Sequence, residues 1–181
     1  WHGEPGVGDA CAIVIPGGFA HGDYLRTGAI ARSSPVMTAV REFAAQGGPV
    51  VGVCNGFQVL TEAGLLPGAL QKNAGLKFLC ETVEIRVETQ SSVLTNLVER
   101  GTTLRVPINH FEGNYVCDAP TLERLRAEER VVVRYVDNPH RSLDDIAGTC
   151  HAARNLLGPI PPPRPAAALL PAPAHASAVA R

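Results

Sequence analysis

With 181 residues the chain is long enough for one domain with a real core, and its 45% hydrophobic and 18% charged residues exclude a disordered, collagen-like or coiled-coil chain. Sixteen basic residues against 17 acidic ones leave a net charge of −1, so no basic excess points to nucleic acid or to an anionic membrane surface. No apolar run approaches the ~20 residues of a membrane span, Trp1-His2-Gly3-Glu4-Pro5 lacks the pattern of a signal peptide, and five scattered cysteines without a Cys-x-x-Cys pair predict free thiols in a reducing, cytoplasmic setting, with no metal site.

In chain order, Ala10–Ile15 is a short apolar run closed by Pro16-Gly17-Gly18, as a buried strand would be. Ser34-Pro35 starts a helix, with Ser as N-cap and Pro in the first turn. Val36, Met37, Val40, Phe43 and Ala44 follow at helical spacing up to Gly47-Gly48. Pro49–Cys54 is a second buried strand and Asn55–Ala63 a second helix, ended by Gly64. This alternation predicts parallel strands joined by right-handed crossovers. Val83, Ile85 and Val87 then alternate with Glu84, Arg86 and Glu88, the pattern of a strand with one wet face. Leu104, Val106 and Ile108 suggest another strand. Asp118–Glu129 reads as a short helix with Pro120 in its first turn, Val131–Val136 as a strand, 137–140 as a turn and Ile146–Cys150 as a final strand. Composition changes near Gly158. Seven of the 15 prolines lie in Pro159–Arg181, together with eight alanines between Ala166 and Ala180. The expected organisation is therefore a globular body over residues 1–158 and an irregular tail over 159–181.

The strongest chemical signal is Gly52-Val53-Cys54-Asn55-Gly56, which has the form of a nucleophile elbow with cysteine at the centre. A sharp turn from a strand into a helix aims the sulfur out of the sheet, and helix N–H groups there favour thiolate. The plain alternative is a small buried cysteine at an ordinary turn. Cys54 is expected to be the most reactive thiol, with Cys11 and Cys80 slower in apolar surroundings. Acyl chemistry also needs two N–H donors for the oxyanion. Asn55 follows the nucleophile, and Gly18 of the loop Pro16-Gly17-Gly18-Phe19 offers the second. In His110-Phe111-Glu112-Gly113-Asn114-Tyr115, a His and a Glu two apart on one strand would share a face; positioning is the favoured role over proton transfer. His21-Gly22-Asp23-Tyr24 is read as a structural loop.

Pro16–Ile30 (PGGFAHGDYLRTGAI), Gly52–Gly68 (GVCNGFQVLTEAGLLPG), Asn109–Tyr115 (NHFEGNY) and Arg134–Gly148 (RYVDNPHRSLDDIAG) resemble the glutamine amidotransferase subunits of phosphoribosylformylglycinamidine synthase. The resemblance runs from about Asp9 to Gly158. It implies a class I amidotransferase, flavodoxin-like α/β fold with a parallel sheet. It implies glutamine hydrolysis and delivery of ammonia to a large synthetase subunit, which uses ATP and Mg in purine synthesis, within a complex that also holds a small accessory subunit. No cofactor is implied on this chain. Position by position, Cys54 is the nucleophile, Gly18 and Asn55 supply oxyanion N–H groups, and Gln58, His110 and Phe111 hold the amino-acid end of glutamine.

Two departures stand beside the match. Family members carry a strand, helix and strand ahead of the PGGF region, so about one βαβ unit is expected to be missing here. The family's triad His and Glu lie in a Pro-His-Pro-Glu stretch after a strand equivalent to Asn155–Gly158. This chain reads Pro159-Ile160-Pro161-Pro162-Pro163-Arg164-Pro165 there, and no Asp or Glu follows Asp145. Such a tail is what a shifted reading frame through GC-rich DNA yields, and little glutaminase activity is expected of the chain as written. Two other readings compete: a cysteine hydrolase of the DJ-1/PfpI-like group, against which Gln58 and NHFEGNY argue, and a binding or regulatory subunit without catalysis.

Overall fold

The computed structural model of the protein describes residues 6–18 and 27–160. Its centre is a seven-stranded mixed sheet. Strands β1 (Ile13–Ile15), β2 (Val50–Gly52) and β9 (Leu156–Pro159) run parallel, with Ile13 opposite Val50 and Val50 opposite Leu156. Beyond β9 the sheet turns antiparallel through β8 (Ile146–Cys150), β7 (Val131–Tyr135), β4 (Leu79–Val87) and β5 (Thr103–His110). A separate two-stranded ribbon pairs β3 (Ala69–Lys72) with β6 (Glu112–Val116).

The expected parallel sheet is therefore three strands wide among the described residues, extended by four antiparallel ones. The alternation around Val83, Ile85 and Val87 carries that difference. These three are buried while Glu84 and Arg86 are exposed, as on an antiparallel strand covered on one face. β9 lies between β2 and β8 and joins the two halves. Residue-level reading ended the strands at Cys150; the resemblance alone implied this last one. The folded body also passes Gly158, because Pro159 belongs to β9 and Ile160 is fully buried with its N–H on the Ala147 carbonyl.

Helices α1 (Thr27–Ala31) and α3 (Asn55–Glu62) pack on each other, and α3 lies on β1, β2 and β9. Helix α2 (Val36–Ala45) buries Met37, Ala39 and Val40. Pro35 is already helical, as expected for a first-turn proline. Asn155 ties the end of α2 to the sheet by donating to the carbonyls of Ala44 and Gly48. Helix α4 (Ala119–Ala127) starts at Asp118, whose carboxylate accepts from the Thr121 N–H. The core runs through Phe57, Leu60, Val106, Ile108, Tyr115, Ile146, Leu156 and Leu157. The loop at residues 21–24, the tail beyond Ile160 and the residues ahead of Gly6 lie outside the described residues.

Candidate active site

The turn between β2 and α3 has the strain that an elbow requires. Cys54 stands at φ 55° and ψ −112°, a conformation that a non-glycine residue adopts only when its surroundings hold it there. Its N–H bonds the carbonyl of Pro159 on β9, and its own carbonyl accepts from the N–H groups of Phe57 and Gln58. The flanking glycines are steric necessities. A Cβ on Gly56 would lie 2.0 Å from the Ile15 carbonyl oxygen, and one on Gly52 would lie 2.5 Å from the Gly56 carbonyl oxygen. Helix α3 can therefore sit close against β1 and β2 only because neither residue has a side chain.

The loop after β1 reaches the same point. A Cβ on Gly17 would fall 2.8 Å from Cys54 Cβ and 3.5 Å from its sulfur. Gly18 follows at φ 148° with open space where a side chain would be. Asn55 is the first residue of α3, directly after the cysteine, and its amide donates to Gln58 Oε1 at 2.8 Å. The Gln58 amide in turn donates to a Glu112 carboxylate oxygen.

His110 ends β5 and is almost wholly buried. Its Nδ1 stands 3.9 Å from Cys54 Sγ and its Nε2 stands 2.9 Å from His140 Nε2. Burial depresses both imidazoles, His110 to about 4 and His140 to about 3; the proximity of His110 lowers His140 further. His110 thus faces the sulfur, while Glu112, at the start of β6, meets Gln58. The two do not act as a pair on one strand: β5 ends at His110, β6 begins at Glu112, and each side chain has its own partner. Phe111 between them has the Lys72 ammonium 5.5 Å from its ring centre.

A cleft of about 520 Å³ opens beside Gln58, walled by Gln58, Glu62, Lys72, Asn73, Leu76 and Glu112. That is the size of a small-molecule site. Sequence reasoning missed Asn73, which shapes one wall. Its side chain donates to the carbonyls of Lys77 and His110 and accepts from the Gly113 N–H, and its own N–H bonds the Phe111 carbonyl. One buried asparagine thereby fixes residues 110–113, and only its place before Ala74-Gly75 hinted at a turn. Cys11 and Cys80, expected in apolar surroundings, are both exposed, whereas Cys54 is half-buried and Cys150 is buried. Among the described residues no three His, Cys, Asp or Glu side chains converge as a metal site needs, and no helix is long and apolar enough to cross a membrane.

Residues 2–155 match the family of CobB/CobQ-like glutamine amidotransferase domains. The chain belongs to that family. Among curated relatives, this amidotransferase is 54% identical over 172 residues to phosphoribosylformylglycinamidine synthase subunit PurQ of Koribacter versatilis, and 52% identical over 163 residues to that of Rubrobacter xylanophilus. Each alignment covers 90% of this chain and 74% of the relative. The structure of PurLQS from Thermotoga maritima contains a chain that superposes on the amidotransferase with a TM-score of 0.78 at 38% identity, over 87% of this chain and 70% of that one. The glutaminase domain of Trypanosoma brucei CTPS, solved with bound acivicin, shares the fold at 14% identity and a TM-score of 0.56, over 86% of this chain and 64% of that domain.

Proposed function

We propose that this chain is the glutamine amidotransferase subunit of phosphoribosylformylglycinamidine synthase and works through a thioester on Cys54. The observation that carries the chemistry is the strained elbow, which places Cys54 Sγ between the Gly17-Gly18 loop, the start of α3 and His110. The Cys54 thiolate attacks the carboxamide carbon of glutamine. N–H groups of Gly18 and Asn55 receive the oxyanion. The C–N bond breaks, ammonia leaves with a proton, and water then hydrolyses the thioester to glutamate. Gln58, Glu112 and Phe111 border the approach and hold the amino-acid end of the substrate: the Glu112 carboxylate suits its ammonium, and Lys72 above Phe111 suits its carboxylate. His110, assigned by resemblance to that same end, serves the sulfur side.

The subunit works with the large synthetase subunit, which consumes the ammonia with ATP and Mg in the cytoplasm; a small accessory subunit completes the complex. Proton delivery to departing ammonia is typically worth ~10²–10⁴-fold. The resemblance implies a His and a Glu shortly after β9, and the sequence from Pro159 to Pro165 has neither. The chain as written is therefore expected to turn over slowly. Glutaminase rates with and without the large subunit, for the chain and for Cys54→Ala, test the assignment. Replacing Pro159–Arg181 by a Met-Pro-His-Pro-Glu tail should raise the rate in the complex. Turnover that survives Cys54→Ala would overturn the nucleophile.

A further inference from the structure

We propose that His140 is a positioning residue which fixes His110 as the tautomer that points an N–H from Nδ1 at Cys54 Sγ. Nothing in the amidotransferase reading assigns His140; it stands in the connection from β7 to β8, which sequence analysis took as a plain turn. It is fully buried, and its Nε2 lies 2.9 Å from His110 Nε2. At that distance the two nitrogens share one proton, so the tautomers of the rings are linked.

Two arrangements satisfy the contact. In one, His140 donates from Nε2, His110 accepts on Nε2 and donates from Nδ1 to the sulfur, and His140 Nδ1 is a bare lone pair. In the other, His110 donates from Nε2 and turns the lone pair of Nδ1 to the sulfur, while His140 carries its proton on Nδ1. Each uses one ring of either tautomer, so intrinsic preference cancels. The environment decides between them. Among the described residues, the buried His140 Nδ1 has no hydrogen-bond partner, and burying an unpartnered N–H is the rarer, costlier choice compared with an unpartnered acceptor. The first arrangement also offers a thiolate a donor, whereas the second sets a lone pair against it.

The loop is built to hold this ring. Arg141, Asp144 and Asp145 all have φ between 55° and 57°, three non-glycine residues in the left-handed region within five positions. They are held there by a dense network. Arg126 and Arg134 bind Asp144, Asn138 binds both Ser142 and Asp145, and the Ser142 hydroxyl donates to the Ile146 carbonyl. The far side is equally constrained: a Cβ on Gly113 would lie 2.8 Å from His110 Nε2 and 2.9 Å from His140 Nε2. The Tyr135 hydroxyl has no partner among the described residues either, and the ring of Tyr135 meets His140 edge-on at 5.2 Å.

His110 remains neutral in this scheme and never takes the thiol proton, which leaves for solvent. Its depression to about 4 by burial makes it a poor base for a thiol. Among the described residues, the titratable groups facing the sulfur include His110 on β5, His140 and Tyr135 beyond it, and Glu112 on β6, which accepts from Gln58. Gly17 and Pro159, which also meet Cys54, carry no titratable side chain.

The inference rests on Cys54 as nucleophile for its consequence only, and its test avoids glutamine so that the two stand or fall separately. Imidazole nitrogen NMR on the full chain near pH 7 should show His110 protonated on Nδ1; protonation on Nε2 would overturn the proposal even if every variant failed to fold. Iodoacetamide alkylation of Cys54, followed against pH by mass spectrometry, gives the second readout. His140→Phe removes the donor and should raise the midpoint by about one unit, a roughly tenfold slower reaction below it, as expected for losing one hydrogen bond to an anion. His140→Gln keeps an N–H donor and should restore the profile. A folded His140→Phe protein with an unshifted midpoint would refute the role.

Discussion

Acidification to about pH 5 should destabilise this protein by an amount that two buried imidazoles set. His110 is held down to about 4 and His140 to about 3 in the folded state, against about 6.5 in an unfolded chain. Below about pH 6.5 the unfolded chain therefore binds protons that the folded chain refuses, and stability rises with pH across that range. The contribution is complete above the unfolded value and is lost as the pH falls toward the folded ones. At about pH 5 each ring has forfeited about 2 kcal/mol, or about 4 kcal/mol together, measured against a total stability of about 5–15 kcal/mol for an ordinary domain. Asp118 and Asp144 do not confuse the window. Hydrogen bonds from Thr121 and Arg126 lower their carboxyls, so both stay charged at that pH and their effect fades only below the ordinary carboxylate range. Urea unfolding followed by circular dichroism at about pH 7.5 and 5 measures the loss. With a slope of about 2 kcal/mol/M the midpoint should drop by about 2 M, and His140→Gln, which cannot take a proton, should halve the drop. A wild-type midpoint that moves by less than about 0.5 M would refute the argument that these rings are buried neutral.

Gly113→Ala should drive the two imidazoles apart, because the new methyl group would lie under 3 Å from both rings; thermal melts should show a loss of about 1–3 kcal/mol from overpacking, with slower Cys54 alkylation. Phe57→Ala removes a fully buried ring stacked on Tyr115 at 6.0 Å, and chemical denaturation should report about 3–5 kcal/mol lost. Asp118→Ala deletes the N-cap of α4 and should cost about 1 kcal/mol by the same measurement, with alkylation of Cys54 unchanged.

The parts of the site that sequence reading recovered are those written in local backbone chemistry. Gly52-Val53-Cys54-Asn55-Gly56 announces its turn because only glycine fits beside Ile15 and beside the start of α3. The alternation at Val83, Ile85 and Val87 likewise marks a half-covered strand. What stayed hidden depends on pairings between distant strands. β4 pairs with both β5 and β7, and this brings the end of β5 beside the loop after β7. His140 consequently meets His110 across thirty positions, a contact without a local pattern. The ribbon of β3 and β6 escaped for a different reason: Ala69–Lys72 is four residues with one buried position, too short for a period to show. Composition placed the end of the body at Gly158, yet proline is no obstacle where β9 stops pairing, and Ile160 closes the core behind it.

The bond from the Cys54 N–H to the Pro159 carbonyl makes the end of β9 part of the mounting of Cys54. The sheet order seats β9 next to β2, so the last described strand ends beside the Cys54 backbone. A group joined to the end of β9 is kept near Cys54 by chain connectivity, at a high effective concentration. The strained turn is thus braced by all three parallel strands, and a change at the end of β9 is felt at the Cys54 backbone.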